Sequence, residues 1–329
     1  MKDILNHLFE GKKLTQSQAK QSILDITAGK ANNSQIASFI TSFLMRSVTV
    51  DELEGFRDAL WELCIPVNLE GYEAIDLCGT GGDGKNAFNI STATSFVVAG
   101  AGVHVAKHGN YGVSSICGSS NVLEYLGLKF SNNADVLTKQ IEKAGVCFLH
   151  APLFHPALKS LAPIRKELGV KTFFNILGPM INPSRPKYQM VGVFSLELVR
   201  IYTYIYQKNM QNFYIIHSLD GFDEISLTSD FKVSGKKFEK IFHPSDLEYS
   251  YKSLSELSGG STIEEAGKIL INILENKGTT TQNEVVIANS AFAIQCAKSN
   301  LSLQDAIGMA KESLLSGKAK RSLEILLSL

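Results

Sequence analysis

No surplus of charge, no cysteine pattern and no long apolar run marks this sequence, and each absence removes a class of protein. Lysine plus arginine and aspartate plus glutamate both number 32, so the formal net charge is zero. A protein whose main partner is a nucleic-acid backbone carries a positive surplus, so no nucleic acid is expected. The five cysteines, Cys64, Cys78, Cys117, Cys147 and Cys296, are odd in number, scattered, and form no CxxC pair. Neither a disulfide framework nor a cysteine-ligated zinc is expected, and a reducing compartment is. Met1-Lys2-Asp3-Ile4-Leu5 lacks the apolar stretch of a secretory signal, and no later run is long enough to span a bilayer. A cytoplasmic protein with no membrane partner is the expectation. His104, His150, His155 and His217 show no zinc spacing such as HExxH, so core and turn roles are expected for them.

What is present divides the 329 residues into two kinds of pattern. Residues 1–65 read as helices only. Thr15-Gln16-Ser17-Gln18 and Thr49-Val50-Asp51-Glu52 have capping-box spacing, and Ile36, Phe39, Ile40, Phe43 and Leu44 fall on one helical face. So small a helical unit has more apolar stripe than it can cover, which points to packing or dimerisation. From residue 74 short apolar runs at 74–78, 103–106, 146–150, 188–194 and 212–217 alternate with helical segments at 89–100, 134–145 and 195–208. Residues 156–185 interrupt the alternation with helix-like sequence opened by Pro156 and reaching Gly169, and 261–329 is helical again. The fold class is therefore α/β: a small all-helical N-terminal domain plus a large domain with a mostly parallel central sheet flanked by helices. The expected domains are 1–70, joined by part of 156–185, and 71–329.

The densest signal is Asp76-Leu77-Cys78-Gly79-Thr80-Gly81-Gly82-Asp83-Gly84, which follows the first apolar run and precedes a helix start at Asn89-Ile90-Ser91-Thr92. Glycines let a ligand lie against main-chain N–H groups, and a helix N-terminus favours phosphate. Two templates match in part. Gly79-x-Gly81-x-x-Gly84 fits a dinucleotide fingerprint, but the next strand ends in Lys107-His108 with no ribose-binding acid. Gly79-x-x-x-x-Gly84-Lys85 fits a P-loop until Asn86, where a hydroxyl is required.

A second loop, Lys107-His108-Gly109-Asn110-Tyr111-Gly112-Val113-Ser114-Ser115, follows the second run, and Gly118-Ser119-Ser120-Asn121 starts another helix. Segments 76–92 and 107–124 resemble the phosphoribosyl-binding motifs of the anthranilate phosphoribosyltransferase family. The resemblance extends in family order to Phe154-His155-Pro156-Ala157-Leu158-Lys159, Pro163-Ile164-Arg165-Lys166-Glu167-Leu168-Gly169, Asn175-Ile176-Leu177-Gly178-Pro179 and Gly221-Phe222-Asp223-Glu224-Ile225-Ser226. It implies transfer of a phosphoribosyl group from phosphoribosyl pyrophosphate to the amine of anthranilate, an early step of tryptophan biosynthesis, by a homodimer joined through the helical domain. It further implies that Gly79, Gly82, Asp83, Asn89, Ile90, Ser91, Thr92, Lys107, Gly109, Ser114, Ser115 and Ser119 bind the donor. Gly79, His108, Asn110 and Arg165 are implied on the anthranilate side, and Ser91, Asp223 and Glu224 as ligands of magnesium (Mg2+). No residue is assigned as acid or base.

Read without the family, Ser91 and Thr92 are helix caps, Lys107 a surface lysine, Arg165 half of an ion pair with Glu167, and Asp223-Glu224 a solvated turn. The pattern departs at Ala87, where the family usually has threonine, which implies weaker donor binding. Cys117, and Asn121 where aspartate is common, are milder departures. A pyrimidine nucleoside phosphorylase shares the implied fold, but its His and Ser are replaced here by Cys78 and Gly79. A non-catalytic nucleic-acid-binding relative would need a basic face.

Overall fold

The computed structural model describes residues 1–112 and 116–329. They form two compact units, one of residues 1–66 with 151–183 and one of residues 67–150 with 184–329.

The first unit is helical, with α1 (Lys2–Phe9), α2 (Gln16–Thr27), α3 (Asn33–Ser42) and α4 (Val50–Leu63) from its first segment. Both predicted capping boxes form. The Gln18 N–H donates to Thr15 Oγ1 at 3.3 Å and the Glu52 N–H to Thr49 Oγ1 at 3.3 Å. Asn32 and Gln35 make a third. Gly55 of α4 has no room for a side chain, since a Cβ there would lie 2.3 Å from Gln16 O, so α2 and α4 cross closely. Phe39, Phe43, Phe56 and Phe173 build an aromatic core, with Phe56 stacked on Phe173 at 4.4 Å between centroids.

The second segment holds α8 (Ala151–Phe154), a 3-10 turn (Pro156–Ser160), α9 (Ala162–Leu168) and α10 (Phe174–Leu177). The single helix expected from Pro156 to Gly169 is thus broken. Pro163 has no N–H for the carbonyl four residues back and its ring would strike that carbonyl, so the helix restarts just before it. Gly169, at φ 64°, closes α9 in the left-handed conformation that glycine favours.

The second unit is built on a seven-stranded sheet in the order β3-β2-β1-β4-β5-β6-β7. Strands β1 (Ile75–Gly79), β2 (Val105–Gly109), β3 (Val146–His150), β4 (Tyr188–Gly192) and β5 (Asn212–Ser218) are parallel. They match the five apolar runs, with ends shifted by up to three residues. Strands β6 (Phe231–Gly235) and β7 (Glu239–Phe242), not expected from the sequence, add antiparallel at one edge. The sheet is flanked by α5 (Ile90–Gly100), α6 (Ser119–Tyr125), α7 (Ala134–Ala144), α11 (Leu196–Asn209), α12 (Ile263–Leu274), α13 (Thr280–Ala297), α14 (Leu303–Leu315) and α15 (Lys318–Leu327). Helix α13 is buried along most of its length and packs on β1, β4, β5 and α5. No helix among the described residues is long and apolar enough to cross a membrane.

One buried ion pair organises the helical unit. Glu52, fully buried, accepts from the Leu14 N–H at 2.8 Å and from the Arg46 fork at 2.5 and 2.9 Å. Burial raises its pKa, but Arg46 and the N–H donors outweigh it and hold the carboxyl below its usual value. Its stabilising contribution is therefore present above the unfolded pKa of about 4.3 and is lost as pH falls through the lower folded value. Arg46→Met, which leaves this carboxylate buried without its cation, is expected to cost about 3 kcal/mol in urea denaturation and to move acid unfolding to higher pH. An unchanged acid transition would contradict the assignment.

Candidate active site

The carboxyl ends of the parallel strands are where loops and ligands gather in an α/β sheet. Strand β1 ends in Gly79, and the Thr80 N–H extends its ladder to Gly192 O at 2.9 Å. The chain then turns through Gly81, Gly82 and Gly84 at φ 62°, 79° and 73°, a backbone that only glycine adopts without strain. Gly79 and Gly192 are bare for a different reason. A Cβ on Gly79 would lie 2.2 Å from Asp223 Oδ2, and one on Gly192 would lie 1.4 Å from Asp223 O. Two neighbouring strands end without side chains so that the segment carrying Asp223 can lie on them.

That segment brings three carboxylates together. Asp223 Oδ2 accepts from the Gly81 N–H at 2.7 Å, and the Asp83 carboxylate is near enough for its charge to act on Asp223. Asp83 Oδ1 accepts from the Lys85 N–H at 3.0 Å, and Glu224 Oε1 accepts from the Ser91 N–H at 3.0 Å. Burial, and then the charge of Asp83, push Asp223 up to about 7. Burial and the charges of Asp223 and Asp83 raise Glu224 well above the usual range, and burial raises Asp83. Like charges so placed favour a proton or a cation. Among the described residues no three His, Cys, Asp or Glu side chains are arranged to hold a metal by themselves. Magnesium fits such a cluster, because it is bound through one or two carboxylates and takes its remaining oxygens from water and substrate phosphate.

The helix start lies against this cluster. Asn89 occupies the cap position of α5, but its amide donates to Cys117 O at 3.0 Å rather than capping the helix. Ser91 and Thr92 are inside the helix and do not cap it either. Ser91 lends its N–H to Glu224, and its Oγ accepts from Lys107 Nζ at 3.3 Å. Ile90 and Thr92 are fully buried, and Thr92 Oγ1 has no partner among the described residues. Ala87 pairs in an isolated bridge with Ser258, and Phe88 N–H donates to Leu257 O at 2.9 Å. The segment at the departure from the family pattern is therefore fixed through its backbone.

Lys107 is not a surface lysine. Only 2% exposed, it donates to Leu77 O at 2.6 Å as well as to Ser91. Burial lowers its pKa, opposed by Asp76 and Glu224. Strands β1 and β2 pair at Ile75↔Val105; further along, the His108 N–H goes to Asp76 Oδ1 at 3.1 Å and Leu77 O takes the ammonium. Two side chains thus replace ladder bonds at the centre of the sheet. Gln189 Nε2 holds the other Asp76 oxygen at 2.8 Å. Burial raises the Cys78 thiol well above its usual value, which suits an inert small side chain.

The second loop brings Gly109, Asn110 and Ser119 together. Ser119 Oγ lies 3.5 Å from Asn110 O, and a Cβ on Gly109 would meet that hydroxyl at 2.4 Å. Asn121 Oδ1 accepts from the N–H groups of Gly112 and Gly118 at 2.9 and 3.0 Å, so a neutral amide closes the loop where the family often has a carboxylate. Ser114 and Ser115 lie outside the described residues. Four further histidines are tied to neighbours: His104 to Tyr72 O, His150 to Ser120 Oγ, His155 to Ile181 O and His217 to Val193 O.

Arg165 belongs to the helical unit, on α9. Its guanidinium sits 5.2 Å over the Phe174 ring and has no carboxylate partner among the described residues. Burial lowers its pKa. The ion pair with Glu167 does not form, so a planar cation is left for a carboxylate to take. Sequence reasoning missed Gly192, Asp76, Gln189 and Ser218, whose Oγ donates to Glu224 O at 2.6 Å. Gly192 had a local signal, a glycine at the end of a buried strand, which marks close backbone approach.

Known proteins resemble this chain over nearly its whole length. Residues 71–320 match the a/b domain of the glycosyl transferase family, and residues 2–64 match that family's helical bundle domain. The anthranilate phosphoribosyltransferase of Christiangramia forsetii is 57% identical over 319 residues, 97% of this chain and 96% of its own. The crystal structure of the Thermus thermophilus anthranilate phosphoribosyltransferase superposes with a TM-score of 0.91 at 30% identity, covering 98% of both chains. The Saccharomyces cerevisiae enzyme in complex with PRPP and Mg superposes with a TM-score of 0.92 at 25% identity, over 98% of this chain and 96% of its own. The chain belongs to the anthranilate phosphoribosyltransferase family.

Proposed function

We propose that the glycine-lined edge of the α/β unit holds phosphoribosyl pyrophosphate and that the chain transfers its phosphoribosyl group to the amine of anthranilate. The C1′–O bond to pyrophosphate breaks, a C1′–N bond forms, the amine loses a proton, and pyrophosphate leaves. The observation that carries this reading is the crowding of Asp83, Asp223 and Glu224 beside the bare loop 79–84, where their raised pKa values mark a place that favours a cation. Magnesium bound there would neutralise negative charge developing on the leaving pyrophosphate. Asp223 and Glu224 are its proposed carboxylate ligands, with the Ser91 hydroxyl beside them.

The chain's own residues bind and orient. Loop N–H groups from Gly79, Gly82 and Asp83, with Asn89, Ile90, Ser91 and Thr92 at the start of α5, take the donor's phosphates. Gly109, Ser114, Ser115 and Ser119 of the second loop complete that set. Lys107 acts from beneath, holding Ser91 in place and keeping positive charge close to Glu224. On the acceptor side, Gly79, His108 and Asn110 line the anthranilate position, and Arg165 takes its carboxylate through the planar fork. Because the reaction needs two substrates aligned and one leaving group neutralised, positioning and electrostatics supply most of the rate. The units are read as a helical domain, 1–70 with part of 156–185, and a catalytic domain, 71–329, in a cytoplasmic homodimer joined through the former. Exposed Phe9, Leu44 and Met45 supply apolar surface for that contact.

The direct test is the loss of anthranilate fluorescence in the presence of phosphoribosyl pyrophosphate and magnesium; no loss under any condition would defeat the reading. Asp223→Asn combined with Glu224→Gln should lower magnesium-dependent turnover by at least about 100-fold while leaving the melting temperature of the metal-free protein unchanged or higher, since repulsion is relieved. Retained turnover would remove the metal role. Arg165→Ala should raise the KM for anthranilate by roughly 10- to 100-fold and the KM for the donor far less, because one charged hydrogen-bonding partner of the carboxylate is lost. Equal effects on both would contradict the role.

A further inference from the structure

The loop that carries Asp223 and Glu224 has to hold carboxylates together against their mutual repulsion, and its own sequence does not explain how. The segment is held by neighbours instead. Ser218 Oγ donates to Glu224 O at 2.6 Å and accepts from the Ser226 N–H at 3.2 Å. Between those two residues stands Ile225, whose N–H donates to Asn289 Oδ1 at 3.1 Å and whose carbonyl accepts from Asn289 Nδ2 at 2.8 Å. Asn289 is 2% exposed and lies midway along α13, among Val285, Val286, Ala288, Phe292 and Ile294. Its second amide hydrogen goes to Val285 O at 2.8 Å, so every hydrogen-bonding group except one lone pair is engaged. A primary amide can accept from the N–H and donate to the carbonyl of one residue while keeping a second hydrogen for its own helix, which a carboxylate cannot. Beyond it the chain passes through Leu227 at φ 59°, a left-handed backbone that an L-residue takes only when its surroundings hold it.

We infer that Asn289 is a positioning residue that fixes the Asp223-Glu224 pair through the backbone of Ile225. It touches neither substrate nor metal; it sets where the two carboxylates stand and keeps the segment from opening under their repulsion. Helix α13 is buried along most of its length, so the clamp transmits the rigidity of the core to the sheet edge. This deepens the functional reading above and rests on it for the role of the two carboxylates, but the clamp itself is tested without turnover.

Two readouts are needed. In metal-free Asn289→Ala, amide hydrogen exchange at both Ile225 and Ser226 should be at least about tenfold faster, and the magnesium concentration for half-maximal turnover should rise roughly 10- to 100-fold, as when a partner that orients a ligand is removed. Ile294→Ala, which opens a cavity in the same helix, should lower the melting temperature and move neither readout. If Asn289→Ala fails to fold, Asn289→Asp, which keeps the acceptor for the Ile225 N–H but cannot donate to its carbonyl, is read in the same way. Unaltered exchange at Ser226, an unaltered magnesium requirement, or equal shifts in Ile294→Ala would each overturn the inference. Should the wild-type protein show no magnesium-dependent turnover, the functional reading fails, and exchange at Ser226 alone decides the clamp.

Discussion

Three carboxylates meeting on a sheet edge that carries no side chains of its own is the constraint on which the rest of the α/β unit depends. Asp223 is buried, Asp83 and Glu224 are half-buried, and the three repel one another, a costly arrangement for carboxylates. It persists because the surroundings leave the segment nowhere else to lie. Gly79 and Gly192 give it a seat that any Cβ would fill, and the Gly81 and Ser91 N–H groups take two of its oxygens. Glycines in the first loop therefore do two jobs. Some adopt left-handed backbone that opens N–H groups outward; others are absences of side chain that let a distant loop dock.

The same economy appears one strand away. Asp76 and Lys107 are buried in the middle of the sheet, each replacing a backbone partner between β1 and β2. Burial disfavours the charged ammonium, and Asp76 and Glu224 oppose that shift. The lysine thus links the sheet interior to the Ser91 hydroxyl and, through it, to the carboxylate edge. Arg165 is the counterpart in the helical unit: a half-buried guanidinium stacked on Phe174 with no anion beside it among the described residues. Both units hold charge ready for a partner of opposite sign.

How much of this was legible in the sequence depended on how far apart the contacting residues stand. The five parallel strands are visible as apolar runs because burial on both faces removes polar residues from them. Strands β6 and β7 are not, since Lys232 and Ser234 interrupt the apolar run of β6, and Glu239 and Lys240 that of the exposed edge strand β7. Capping boxes at Thr15 and Thr49 depend on residues three apart and could be read directly. The glycine loop and the Lys107 loop were readable for the same reason. What placed Asp223 was not: its bond to Gly81 joins residues 142 apart, and Glu224 meets Ser91 across 133. Lys107 and Arg165 show the limit in another form. Their charge was plain, but only the structure shows the first buried under the site and the second free of Glu167.

The central claim is that the edge formed by Gly79, Asp83, Ser91, Asp223 and Glu224 is where a divalent cation and the donor's pyrophosphate meet. Crystals grown with phosphoribosyl pyrophosphate and manganese in place of magnesium test it most directly, because manganese scatters anomalously. The account predicts an anomalous peak within bonding distance of the Asp223 or Glu224 carboxylate, with pyrophosphate oxygens on the same ion. A bound donor whose manganese lies away from both carboxylates would contradict it.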